Sequence, residues 1–231
     1  MTPHPRYSLV VPVYNESGNI MPLISSAINV LQTLPHESEI IMVNDGSIDS
    51  TADEITDAII RWPQVRALHH TENRGQAAAL LNGLRDARGE IILTMDGDGQ
   101  NDPQDFPLLL EPVESGSLDL ACGWRVTRHD SRLRRMMSRL GNATRRLVLG
   151  DHLHDSGCQL RVMRREVVSA LFPMDLMQSF LPAIAAGAGF RVGEFPVRHH
   201  PRTRGKAHFG LRQLWWRPAA ALMKVRRHVR R

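Results

Sequence analysis

Two aspartates stand one residue apart in "ILTMDGDGQNDP", Ile92 to Pro103, each followed by a glycine and together preceded by an apolar run. On an extended segment residues i and i+2 share a face, so Asp96 and Asp98 would aim both carboxylates at one spot beyond a strand. Like charges so close are unfavourable unless something positive lies between them. The spacing alone leaves open what that positive group is, and a pair of plain turn residues is the plainer reading. An EF-hand calcium loop is excluded, because counting from Asp96 its sixth and twelfth positions, glycine and glutamate, are here Asn101 and Pro107. Asp102, directly before Pro103, is expected to cap the next helix.

The elements around the pair alternate. "YSLVVPVY" is a β-rich run, and "NIMPLISSAINVLQTL" sets Ile20, Leu23, Ile24, Ala27, Leu31 and Leu34 on one helical face. "EIIMVND" reads as a second strand, followed by a helix near Thr51 to Arg61, the strand "VRALHH", the helix "QAAALLNGLRDA" and the strand "EIILTMD". Strands alternating with helices imply an α/β fold, a mostly parallel sheet with helices on both faces and ligands beyond the carboxyl ends of its strands. The polar segments "VPVYNESGN", "NDGSIDST", "TENRGQ" and "DGDGQNDP" all fall at those ends. Neither GxGxxG after the first strand nor GxxxxGK[ST] anywhere is present, so a nucleotide would be held in another way. Asp49 and Ser50 suit caps of the second helix, Asn15 a turn, and Gly46 and Gly75 special backbone angles.

The chain of 231 residues, 42% hydrophobic, suits one large domain with a tail. Two cysteines, Cys122 and Cys158, are too few for a disulfide framework, and "MTPHPRYSLVV" lacks the apolar core of a signal peptide, so a reducing cytosol is expected. No segment reads as a membrane span. Phe195 to Arg231 carries eleven Lys or Arg and no Asp or Glu; taking eleven from 29 leaves 18 basic against 24 acidic in the rest. Trp124 to Arg146 adds a run of eight arginines against one aspartate. Two basic surfaces on an acidic body point to an anionic partner, which charge alone leaves open among nucleic acid, phosphorylated lipid and membrane.

In order and spacing, "VPVYNE", "NDGSIDST", "NRGQAAALLNGLRDARGEIILTMDGDGQNDP" and "DSGCQLRVMRRE" resemble the family 2 glycosyltransferases of GT-A fold. Within them the chain is most similar to the dolichol-phosphate mannosyltransferases and bacterial polyprenyl-phosphate glycosyltransferases. The resemblance spans Tyr7 to Gly210 and implies a GT-A domain over residues 1–210. Within it, residues 1–123 would form the nucleotide-sugar half and 124–210 the acceptor half, with 211–231 as a basic amphipathic tail. It further implies Mg²⁺ or Mn²⁺ held by Asp96, Asp98 and Gln100, with Asp96 and Asp98 catalytic and Asp96 also facing the donor. Pro12, Tyr14, Glu16, Asp45, Asn73 and Arg74 are the other donor-site positions, Asp45 near base or ribose.

The acceptor implied is a polyprenyl monophosphate, already ionised at neutral pH, so cations that position it could replace a general base. Arg125 in "CGWR" matches a phosphate-contacting arginine; Arg132, Arg134 and Arg135 follow in a basic amphipathic stretch. Asp155 in "HDSGCQLR" matches an acidic position near the acceptor, although capping a turn suits it nearly as well. Two departures stand out. Gln159, Leu160 and Arg161 replace a frequent Gly-Phe-Arg, and Ala207 and His208 replace Ser-Lys in "RTRGKAHFG", where Arg202, Lys206 and a protonated His208 are the expected phosphate contacts. The remaining histidines, His199 and His200 among them, are expected at the surface.

In the tail, Leu211, Trp215, Leu222, Val225 and Val229 form one helical face with Pro218 as a kink, too short to span a bilayer but suited to an interface. The expectation is a cytoplasmic enzyme, peripheral on the inner face of a membrane, taking a nucleotide-sugar donor, with a membrane protein as a possible anchor and no nucleic-acid partner. A hydroxyl acceptor, with Asp155 as base, is the nearest alternative. A non-catalytic basic module binding nucleic acid or membrane is a third; such binding would weaken with salt and ignore Asp98→Ala.

Overall fold

The structure, a computed structural model, describes residues 4–126, 144, 153–201 and 216–229, and within the last segment the side chains of 221–228. Among the described residues seven strands form one sheet: β1 (Tyr7–Val13), β2 (Ser38–Asn44), β3 (Val65–His69), β4 (Ile91–Thr94), β5 (Leu120–Arg125), β6 (Arg161–Arg164) and β7 (Val192–Val197). Their order is β3-β2-β1-β4-β6-β5-β7. β1, β2, β3 and β4 run parallel, β6 is antiparallel to both β4 and β5, and β7 is parallel to β5. Among the described residues the α-helices include α1 (Ile20–Leu31), α2 (Thr51–Arg61), α3 (Gln76–Asp86), α4 (Phe106–Glu114), α5 (Met177–Gly187) and α6 (Trp216–Val229).

Alternation along β1 divides the core in two. Leu9, Val11 and Val13 face one layer with α1, α2 and α4, while Val10 faces the other with α3, α5 and α6. The first three strands step outward from β1, and the chain then returns to place β4 on β1's other side. Where strand order reverses in this way, the connections after neighbouring strands diverge and leave a crevice at their carboxyl ends. The polar segment after β1 and the acidic pair after β4 both open there.

The expected face of α1 is in place: Ile20, Leu23, Ile24, Ala27 and Leu31 are buried, and Leu34 packs against them from beyond the helix end. Asp102 caps the short 3₁₀ turn Pro103–Asp105 ahead of α4 by accepting from the Gln104 N–H. At the chain's other end, Leu222 and Val225, expected on an interfacial face, are buried with Ala221 in the same core layer as α5. The α6 face is therefore spent on the protein itself at those positions. Leu211 and Trp215 lie outside the described residues, as does most of the basic run after Arg125. Among the described residues no helix is long and apolar enough to cross a membrane.

Candidate active site

β4 ends at Thr94, two residues before Asp96, and Gly97–Asp98 form a turn. The acidic pair thus sits on a turn and not on the extended alternation expected from the sequence. The turn is close because Gly97 presses on the end of β1: a Cβ there would lie 2.4 Å from Val13 Cγ1. Asp96 N–H donates to Asn101 Oδ1 (3.0 Å), and Gln100 N–H donates to Asp98 Oδ1 (3.1 Å), so the loop folds on the side chains of Asn101 and Asp98. Asp98 is buried.

Gln100 is steered from outside the loop. Its Nε2 donates to the His200 carbonyl (3.2 Å), which turns the amide oxygen to the other side, and the His200 N–H returns a bond to the Gln100 carbonyl. Asn101 and His199 form an isolated antiparallel bridge, and His200 and Arg198 both pair with Asp102. Burial alone would raise the Asp102 carboxyl; the His200 bond and the Arg198 charge outweigh it and hold its pKa below the usual range. Residues 198–200 therefore clamp the acidic loop to the segment that enters "RTRGKAHFG". Arg202, Lys206 and His208 themselves lie outside the described residues.

On the other side of the crevice the β1 and β2 loops are stitched together. Asn15, at φ +53°, accepts from the Ile48 N–H and donates its own N–H to Ser47 Oγ, while the Glu16 N–H reaches Thr51 Oγ1 (2.9 Å). Glu16 is buried and accepts from Asn19 Nδ2 at 2.7 Å. Asp49 caps α2 through the Thr51 N–H, while Ser50 fills the cap position without a side-chain bond. Pro12 is buried in β1 opposite Val43, and Tyr14 is half-buried just beyond.

Asp45, expected near base or ribose, is 2% exposed and committed to the protein. Its Oδ1 takes the Arg74 N–H (2.9 Å) and lies 2.7 Å from His70 Nδ1; its Oδ2 takes the Gly75 N–H (2.8 Å). It thereby fixes Asn73–Gly75, whose first two side chains are exposed, and the start of α3. His70, expected at the surface, is half-buried, its side chain 7% exposed in this cluster, and also meets Asn82 at 2.9 Å. Gly46 lets the loops close: at φ +69°, it would place a Cβ 2.4 Å from the Glu72 carbonyl carbon.

Arg125 and Asp155 form a buried pair. Arg125 Nε meets Oδ2 at 2.7 Å and Nη2 meets Oδ1 at 2.9 Å, a bidentate fork, with Asp155 4% exposed. Burial would lower the Arg125 pKa, but the Asp155 bonds outweigh it and hold the guanidinium above its usual value. Asp155 also accepts from the Gly157 N–H, as the turn reading expects, and its own N–H donates to Glu194 Oε1. A carboxylate tied this way is poorly placed to take a proton as a base.

Comparison with known proteins decides among the families this arrangement could belong to. The model of the Glycosyl transferase family 2 matches residues 8–172. The chain belongs to glycosyl transferase family 2. Among curated relatives it is 38% identical over 208 residues to a dodecaprenyl-phosphate galacturonate synthase of Rhizobium johnstonii, covering 88% of this chain and 62% of that protein. It is 34% identical over 208 residues to an undecaprenyl-phosphate 4-deoxy-4-formamido-L-arabinose transferase of Edwardsiella ictaluri, covering 90% and 64%. The chain thus spans less than two thirds of the length of these relatives. Their names fall in the polyprenyl-phosphate branch that the motifs resemble. Among solved structures, a glucosyl-3-phosphoglycerate synthase from Mycobacterium tuberculosis, in complex with Mn²⁺, UDP and phosphoglyceric acid, superposes with a TM-score of 0.73 at 20% identity, over 96% of this chain and 78% of that one. The mannosyltransferase PcManGT from Pyrobaculum calidifontis, in complex with GDP-Man and Mn²⁺, gives 0.70 at 20% identity, over 96% and 65%. The fold is the GT-A fold.

Family membership makes the acidic loop the place to test for a metal. Two carboxylates and one amide oxygen are hard donors that fit Mg²⁺ or Mn²⁺, which complete their shells with substrate phosphates and water. Among the described residues no cluster of three His, Cys, Asp or Glu side chains offers a rival site.

Sequence reasoning gave no role to the residues beneath that loop. Arg161, on β6 opposite Thr94, is fully buried; its Nη2 donates to the Ser156 carbonyl, and its Nε and Nη1 have no hydrogen-bond partner among the described residues. Burial lowers its pKa, while Asp96 and Asp155 are among the charges that oppose the shift. Gln76, on α3, donates to Asp96, and Gln178, on α5, donates to Gln76. The one signal for Gln76 was its place directly after Gly75 at a helix start; nothing in the sequence marks Gln178.

Proposed function

We propose that this chain transfers a sugar from a nucleotide-sugar to a polyprenyl phosphate, with a divalent cation, at the cytoplasmic face of a membrane. The observation that carries the reading is the turn that bears Asp96 and Asp98 at the strand-order reversal, in a chain whose relatives are named for polyprenyl-phosphate products. Asp96, Asp98 and the Gln100 amide oxygen would hold the cation, which when bound offsets charge on the departing diphosphate. Tyr14 and the β1–β2 loops would bound the nucleoside, with Asp45 acting through the loop Asn73–Gly75 that it fixes.

The acceptor's phosphate oxygen attacks the anomeric carbon as the bond from that carbon to the diphosphate oxygen breaks on the opposite side. One such displacement inverts the configuration, and the nucleoside diphosphate leaves with the electron pair. A phosphate acceptor brings no proton that must be removed, which agrees with Asp155 being tied to Arg125. A hydroxyl acceptor would need that carboxylate unbound. Arg125 contributes by holding Asp155 and the strand end. The basic residues of 202–208 are left to meet the lipid phosphate.

The test is to incubate the protein with Mn²⁺ or Mg²⁺, polyprenyl phosphate in detergent, and separate pools of UDP- and GDP-sugars, following lipid-linked sugar and released nucleotide. Product from one pool, lost in Asp98→Ala, is the expected result and identifies the donor class. Nucleotide release with transfer only to hydroxyl acceptors would refute the lipid-phosphate reading.

A further inference from the structure

Asp96 is held by one amide, which is itself held by a second on a separate element. Gln76, the first residue of α3, donates its Nε2 to Asp96 Oδ1 at 2.7 Å. Gln178, on α5, donates its Nε2 to Gln76 Oε1 at 3.3 Å and is 4% exposed. Chemistry fixes the direction of this chain. A carboxylate only accepts, so Gln76 must present its NH₂ to Asp96; its oxygen then faces Gln178, which must in turn present its own NH₂.

The far end shows what the arrangement favours. Gln178 Oε1 is buried with no hydrogen-bond partner among the described residues. Reversing both amides would move the strain to Asp96, where an amide oxygen would face a carboxylate. The fold leaves an acceptor unpaired at the remote end and delivers a donor to the acidic pair.

We infer that Gln76, steadied by Gln178, is a positioning residue that fixes the carboxylate of Asp96 for a divalent cation. The inference rests on the proposed metal role of Asp96 and Asp98. Groups that orient a metal's ligands typically change its affinity by about 10–100-fold when removed, because the ligand must then be ordered by the metal itself. Gln76 holds the carboxylate directly and Gln178 holds only Gln76, so their contributions pass through one link. The relay also joins the two halves of the sheet: α3 follows β3 on the nucleotide side, whereas α5 lies between β6 and β7.

The full chain is titrated with Mn²⁺ in the presence of UDP and, separately, GDP, reading free Mn²⁺ by electron paramagnetic resonance; thermal melting reports folding. Gln76→Met, nearly isosteric but without a donor, is expected to weaken Mn²⁺ binding about 10-fold, and Gln178→Met by a smaller factor. Nucleotide binding without metal stays as in the unaltered protein. The double variant is expected to be no worse than Gln76→Met alone, because both changes break one chain. Affinity within two-fold of the unaltered protein in a folded Gln76→Met overturns the inference, as do single effects that multiply in the double variant. Should Gln76→Met fail to fold, Gln178→Met carries the test: unchanged Mn²⁺ affinity there overturns the relay. Absence of nucleotide-dependent Mn²⁺ binding in the unaltered protein is a separate result that overturns the metal reading itself.

Discussion

Replacing Arg125 by alanine asks whether the Asp155 carboxylate is a buried structural group or an accessible base. The pair is bidentate at 2.7 and 2.9 Å, with side chains 13% and 4% exposed. Removing one partner of a buried pair typically costs about 3–5 kcal/mol, because the other charge stays behind without compensation. Asp155 keeps the Gly157 N–H and the nearby charge of Arg161, which puts the loss at the lower end, about 3 kcal/mol. For a chain of this length each 1 kcal/mol moves the melting temperature by roughly 2–4 °C, so Arg125→Ala should melt about 6–12 °C lower. Calorimetric melts at neutral pH, supported by urea unfolding, measure it. Arg125→Lys keeps the charge but loses the fork and should fall between the two. Adding Asp155→Asn to Arg125→Ala removes the stranded charge and should recover part of the loss. A single variant melting within about 2 °C of the unaltered protein would refute the reasoning: the pair would be solvated, and Asp155 would regain standing as a base for a hydroxyl acceptor.

Asp45→Asn replaces one of the oxygens that receive the Arg74 and Gly75 N–H groups and the His70 contact; it should cost about 2–3 kcal/mol and weaken nucleotide binding measured by calorimetry, since the loop before α3 loses its anchor. Gly83→Ala places a Cβ 2.4 Å from Val10 Cγ1, and the overpacking, about 1–3 kcal/mol, should outweigh the helix propensity gained, lowering the melting temperature. Asp119 sits below its ordinary 3.8, at about 2, chiefly through the Arg191 hydrogen bonds. A depressed carboxyl stabilises the folded chain above its unfolded pKa and loses that effect as pH falls through the folded one. The melting gap between the unaltered protein and Asp119→Asn should therefore be steady above about pH 5 and close toward pH 2, with sugar transfer unaffected.

The alternation of strand and helix was legible because apolar periodicity is local: "YSLVVPVY" became β1, and Ile20, Leu23, Ile24, Ala27 and Leu31 became the buried face of α1. The acidic loop was legible as well, since only Gly97 separates Asp96 from Asp98 in the chain. How they meet was not, because the turn depends on Gly97 packing against Val13, far away in sequence. Asp45 shows the same limit. Its type and place after β2 suited a ligand contact; that His70, Arg74 and Gly75 arrive from another loop to hydrogen-bond it was not legible.

By itself the sequence determined the layer architecture, the family, and the strand ends at which polar residues gather, because each follows from patterns within a few residues or from short motifs in fixed order. Only the tertiary structure decided what those residues do for one another. The pairing of Arg125 with Asp155, the clamp of 198–200 on the acidic loop, and the support of Asp96 by Gln76 and Gln178 join groups that sequence keeps apart. The reason is physical: a strand or helix is chosen largely by local periodicity, whereas a hydrogen bond between side chains exists only where packing brings two separate elements within about 3 Å.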